Sequence, residues 1–195
     1  MFQRHLPPDE EILLELDALR EAPFSYPFVG LTRERYPPRP RGFFEDRASA
    51  RLGSGDECFD RAVAALRAWR LFELPWIRLV PARPILAPGM QMHVCARTFG
   101  LWSRNATRIV WVADDTAGDA DTVRRFGLAY GTLPAHLEEG EESFVVRMRT
   151  NGDVEIEIVA FARPARLLVW AGLPIALAVA NRFRRDACAR LQAML

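Results

Sequence analysis

The chain has 195 residues, 50% of them hydrophobic and 26% charged, which suffices for one substantial globular core. Its 26 Lys/Arg positions balance 25 Asp/Glu, a formal charge of +1, so no global field draws in a polyanion and nucleic acid is excluded as a first expectation. Every one of those basic positions is Arg, which rules out a Schiff-base lysine, a pyridoxal-phosphate anchor and a P-loop lysine.

In chain order, Met1 to Pro8 has no apolar run of a signal peptide, and the cytoplasm is the expected compartment. Residues 9–21 read as a short amphipathic helix with Ile12, Leu13, Leu16 and Leu19 on one side. Pro23 to Gly42 holds five prolines, so it is neither a regular helix nor a central strand. It reads as an extended strap whose Phe24, Tyr26, Phe28 and Tyr36 can each bury apolar surface. Residues 1–42 therefore form a helix-and-strap preamble to a domain over 43–195.

A first strand is predicted over Phe43–Leu52. Ser54 to Glu57 fits a capping box, and Phe59, Ala62, Val63, Leu66 and Trp69 continue at helical spacing, predicting a helix over 56–70. Strands are predicted over Trp76–Val80, Met90–Thr98, Thr107–Ala113 and Thr122–Thr132. Ser143–Arg149 and Val154–Phe161 alternate apolar and polar residues around Asn151-Gly152, the signature of a type I′ hairpin. Pro164 to Ala171 predicts a short helix that Gly172 breaks, and Pro174 opens a second. Ile175, Ala178, Phe183, Ala187, Leu191 and Leu195 then form an apolar stripe, while Arg182, Arg184, Arg185 and Arg190 complement the helix dipole. The longest apolar run, Leu167 to Ala180, is too short for a membrane span and contains Gly172 and Pro174.

The densest chemistry lies in Tyr130 to Phe144, where a phenol, an imidazole and four carboxylates stand between two strand-like segments. Phe126, Leu128 and Tyr130 share one strand face, so Tyr130 presents its hydroxyl near a strand end. Gly131 and Pro134 shape a loop carrying His136 and Glu138. Two readings stand side by side. A His beside a carboxylate can pass protons near neutral pH, whereas loop charges are most often only solvated. Arg108 enters an apolar strand and needs a partner, either a ligand anion or a glutamate of this segment such as Glu141 or Glu142. Trp102 and Trp111 either line a ligand cavity or pack in the core.

Tyr130-Gly131-Thr132-Leu133-Pro134, His136 and Gly140-Glu141-Glu142 carry a family resemblance. With Arg108, Phe59 to Ala62, Trp69-Arg70 and Ala160 to Pro164, they resemble the bacterial and plant domain-of-unknown-function family nineteen-ninety. The likeness runs from roughly Val29 to Leu195. It departs at Ala162, where the family usually has Ser, and at Ala180 or Asn181, where it commonly has Gln. The resemblance and the element order imply an α+β helix-grip fold of the START and polyketide-cyclase kind, a curved antiparallel sheet of about six or seven strands around a long C-terminal helix. That fold often encloses a cavity, so the expected partner is a small hydrophobic or amphipathic molecule, met by Arg108, Trp111, Tyr130, His136, Glu138 and Glu142. A cofactor-independent cyclase, hydratase or isomerase in the same cavity, and an interaction module of undetermined oligomeric state, are the alternatives.

Other motifs are incomplete. Gly53-Ser54-Gly55 lacks the third Gly of a dinucleotide fingerprint, and Asp56 and Glu57 would repel a pyrophosphate there. His136-Leu137-Glu138 has no P-C-x-x-C beside it, and His93 with Cys95 makes only half a zinc site. Cys58, Cys95 and Cys188 are odd in number and widely spaced, so no disulfide framework is expected. Neither a metal nor a cofactor is expected.

Overall fold

The computed structural model describes residues 2–34, 38–115, 120–165 and 170–195. Tyr36 of the strap and the centre of the short helix expected over 164–171 lie outside the described residues. The strands are β1 (Phe2–Gln3), β2 (Phe44–Ser54), β3 (Ile77–Val80), β4 (Gln91–Thr98), β5 (Leu101–Asp114), β6 (Thr122–Thr132), β7 (Glu138–Arg149) and β8 (Asp153–Pro164). The helices are α1 (Asp9–Ala18), α2 (Gly55–Arg67) and α3 (Leu173–Gln192), with 3₁₀ turns at Leu31–Arg33 and Arg70–Phe72.

One antiparallel sheet runs β2-β8-β7-β6-β5-β4-β3, with β1 beside β5. Register shifts at Arg51/Gly53, Ile109/Trp111 and Thr122/Arg124 insert extra residues that bend strands and curve the sheet. The concave face receives α2 and the C-terminal half of α3. Phe59, Ala62 and Leu66 of α2 and Phe183, Ala187 and Leu191 of α3 meet Phe126, Leu128, Phe144, Val146, Ile156 and Ile158 in one buried core. Both helices place these residues at three- to four-residue steps, one face of each. This is the helix-grip, α+β arrangement that the sequence leads one to expect.

The convex face is also covered. Ile12 of α1 packs on Val80 and Cys95, and Leu16 on Ala106 and Leu133. The strap crosses the same side, where Phe28 meets Phe43 and Phe161 edge-on and the Tyr26 hydroxyl donates to Glu141 at 2.7 Å. Glu141, 2% exposed, also accepts from the Gly30 amide at 2.7 Å, the Thr32 amide at 3.0 Å and the Thr32 hydroxyl. One buried carboxylate thus gathers four donors and pins the strap to the sheet. Gly131 makes the approach possible, because a Cβ there would lie 2.1 Å from the Tyr26 oxygen.

Several local expectations are corrected. Ser54 is the N-cap of α2 but makes no side-chain capping bond. That helix ends at Arg67 because Trp69 turns left-handed (φ 58°) and starts the 3₁₀ turn. At the β7–β8 hairpin only Gly152 has positive φ (85°), and its amide bonds to Arg149 at 2.9 Å. Asn151 therefore does not take the left-handed conformation that a type I′ turn demands. β5 starts at Leu101, and β7 at Glu138 rather than Ser143, so the four glutamates belong to a strand and not to a loop. Among the described residues, no helix is long and apolar enough to cross a membrane.

Candidate functional site

The strand parity of β7 sorts its glutamates. Glu139 and Glu141 face outward, Glu139 pairing with Arg163 at 2.7 Å and Glu141 holding the strap. Glu138 and Glu142 face inward, with Gly140 between them. A Cβ at Gly140 would fall 1.8 Å from the Phe161 carbonyl oxygen, so only glycine lets β7 and β8 approach at this point. The connection from β6 is a tight turn in which the His136 amide bonds to the Leu133 carbonyl at 3.2 Å. Pro134 followed by Ala135 at φ 75° gives it type II character and delivers His136 back over the inner face.

Between the sheet and the N-terminal half of α3 lies a cavity of about 440 Å³. No residue of Leu173–Ala180 is buried, whereas Phe183, Arg184, Ala187, Cys188 and Leu191 are, so α3 grips the sheet only with its second half. Trp76, Val94 and Ala96 make an apolar wall toward the β3 edge, and Ala176, Val179 and Phe183 face it from the helix. Phe99 and Ile175, both largely exposed, stand at the rim.

Polar groups gather on the opposite side, along β2, β7 and β6. The Tyr130 hydroxyl donates to Glu142 Oε2 at 2.5 Å. Arg184 Nη1 donates to Glu142 Oε1 at 3.0 Å and Nη2 to Asp46. Arg184 is 6% exposed, and its Nε has no partner among the described residues. Burial, then the neighbouring Glu142 carboxylate, pushes the Tyr130 phenol well above its ordinary range, so it stays a donor. Burial drives His136 down to about 3, keeping the ring neutral. Its Nδ1 accepts the Glu138 amide at 2.9 Å, which leaves the ring proton on Nε2. Burial and the charge of Glu142 lift Glu138 to about 7, against an opposing pull from Arg184. The wall thus combines a fixed neutral donor, a neutral imidazole and a carboxyl that titrates near neutrality.

Of the six residues expected at the site, Tyr130, His136, Glu138 and Glu142 line this cavity together. Arg108 and Trp111 are corrected: both lie on the convex face. The register shift between Ile109 and Trp111 moves the strand by one residue, so positions that simple alternation would split end on the same side. Arg108 pairs with neither Glu141 nor Glu142. Its guanidinium donates to the Leu19, Arg20 and Ala22 carbonyls at 2.7–2.8 Å, tying down the end of α1, and sits over Phe24. Trp111 packs with Ala113, Ala129 and Val145, and its Nε1 donates to Thr32. Trp102 is likewise outside, with Ile12 and Cys95. The residues that sequence reasoning passed over are Arg184 and Asp46. The signal for Arg184 was its spacing, one turn before Cys188 and two before Leu191, on the buried stripe of α3.

A group of three or more His, Cys, Asp or Glu able to hold a metal ion is absent among the described residues. Comparison with known proteins gives the lineage. A UPF0548 protein of Dictyostelium discoideum is 31% identical over 202 residues, covering 96% of this chain and 93% of that protein. A UPF0548 protein of Arabidopsis thaliana is 32% identical over 133 residues, 68% of this chain and 64% of that one. Among solved structures, that of the hypothetical protein jhp0584 from Helicobacter pylori shares the fold, with a TM-score of 0.51 at 14% identity over 89% of this chain and all of that one. The family described as Domain of unknown function (DUF1990) matches residues 25–190, and the chain belongs to it.

Proposed function

We propose that the protein binds a small hydrophobic or amphipathic molecule between its sheet and α3, with the molecule's polar end against Tyr130, Glu138, Glu142 and Arg184. The observation that carries this reading is the cavity itself. A space of about 440 Å³ under the half of α3 that does not grip the sheet is within the size range of small-molecule sites. Apolar walls with a few convergent polar groups are the usual composition of such sites. Native mass spectrometry of the freshly purified protein, with thermal-shift screening of lipid-like compounds, tests it. A bound or stabilising compound is expected, and Ala176→Phe, which fills the cavity from the helix side, is expected to abolish the effect while leaving the fold intact. No stabilisation by any apolar compound, or equal stabilisation of Ala176→Phe, refutes the reading.

A second reading, proton-transfer catalysis without a cofactor, is favoured by one feature: Glu138 titrates near 7 on the cavity wall beside neutral His136. A carboxyl of that character can take a proton from a carbon acid, and the unpartnered Arg184 Nε–H is a donor available to a developing oxyanion. Its test is whether a ligand recovered from the protein changes on prolonged incubation, and whether Glu138→Gln stops the change.

A further inference from the structure

The cavity's charge is not balanced. Three carboxyls face it from the polar side, Asp46 on β2 and Glu138 and Glu142 on β7, against one guanidinium, Arg184 of α3. The other groups around Glu138 do not make up the deficit. Tyr130 of β6 is a neutral donor already given to Glu142, and His136 of the β6–β7 turn is a neutral ring. Arg163 of β8 is engaged by outward Glu139, and the Glu141 carboxylate is spent on the strap. Arg184 shares its charge between Glu142 and Asp46, so its free Nε–H asks for a neutral oxygen rather than a third anion. An anionic head group would gain that one bond while standing among surplus negative charge.

We propose that the ligand of this cavity is an apolar molecule bearing a protonated amine, its ammonium group facing Glu138. The inference rests on the ligand-binding reading above and names the chemical class that the site selects. Burial and Glu142 make ionised Glu138 unfavourable, and an ammonium neighbour offsets both penalties by its own charge. An alkylammonium stays charged well above neutrality. Its binding therefore displaces the Glu138 proton below about pH 7, and affinity rises with pH through that region.

The probes are decylamine, decanol and decanoate, matched in chain and different only in head group, titrated calorimetrically into the whole protein. At slightly alkaline pH decylamine is expected to bind at least about tenfold more tightly than decanol, the effect of one pKa unit, and decanoate more weakly than either. Near pH 6, in two buffers of different ionisation heat, decylamine binding is expected to release close to one proton. Glu138→Gln, its folding checked by circular dichroism, is expected to erase the amine preference, so that decylamine binds no more tightly than decanol to the variant. Decanoate binding as tightly as decylamine overturns the proposal, as does an amine preference unchanged in Glu138→Gln, and the ranking on the native protein stands without any variant. Equal binding of all three leaves the cavity reading standing and removes this one; binding of none removes both.

Discussion

Arg184 is the residue whose removal tests the site most directly. It is 6% exposed and holds two carboxylates that differ in their access to water, the Glu142 side chain at 12% exposure and Asp46 at 28%. Arg184→Met keeps an apolar, unbranched stem but deletes the guanidinium and its charge. Asp46 can regain solvent, so the loss comes mainly from Glu142, left charged beside Glu138 and held only by Tyr130. Breaking one side of a buried pair costs roughly 3–5 kcal/mol, and the adjoining cavity, which can admit water to Glu142, puts this case near the low end, about 3 kcal/mol. Acid should relieve it. Arg184 is the one influence pulling Glu138 down, so without it Glu138 holds its proton to higher pH, and the part of the deficit that comes from this group disappears where both proteins protonate it. Urea denaturation followed by tryptophan fluorescence should show the full gap from wild type at about pH 7.5 and a smaller one at about pH 5. The double variant Arg184→Met/Glu142→Gln should recover part of the stability at neutral pH, a coupling that independent sites lack. A deficit below about 1 kcal/mol, or one equal at both pH values, would refute the buried-cluster account.

Three further outcomes are expected. Tyr130→Phe removes a 2.5 Å bond to a charged acceptor that keeps Arg184, and should lower unfolding free energy by about 1–2 kcal/mol in denaturant titration. Glu138 has a folded pKa near 7, raised from 4.5, so the native state holds the extra proton between those values. Its contribution is fully present below the lower value and lost as pH rises through the upper one, and Glu138→Gln should flatten that decline in a Tm-versus-pH series. Gly140→Ala places a methyl group 1.8 Å from the Phe161 carbonyl oxygen, so it should part β7 from β8 and accelerate amide exchange at Glu139, Glu141 and Phe161, whereas Gly152→Ala, which meets no atom but strains a left-handed φ of 85°, should disturb only the hairpin turn and leave those amides protected.

Much of the architecture was legible in local patterns. The alternation of Phe144, Val146 and Met148 against their neighbours marked the inward face of β7, and Phe126, Leu128 and Tyr130 that of β6, because a two-residue period follows from strand geometry alone. The stripe on α3 and the prolines of the strap were equally local, since helix spacing and a missing amide act within a few residues. Tyr130 as an inward strand-end residue followed from the same parity.

Which residues meet in the cavity was decided by tertiary structure. α1 and the strap bury the convex face too, so β5, with Ile109 and Val112 inward and Val110 and Trp111 outward, is apolar on both sides and its composition cannot say which side is the core. A single inserted residue after Ile109 then reverses the parity, sending Trp111 outward alongside Arg108. Arg184 and Asp46 lie 138 positions apart and become partners only when α3 closes over β2. A buried guanidinium reads in sequence like any basic helix residue, because its burial depends on what packs against it. The cavity has the same origin: it exists because α3 grips the sheet by its second half alone, and an unfilled space is a relation between elements that no single segment encodes.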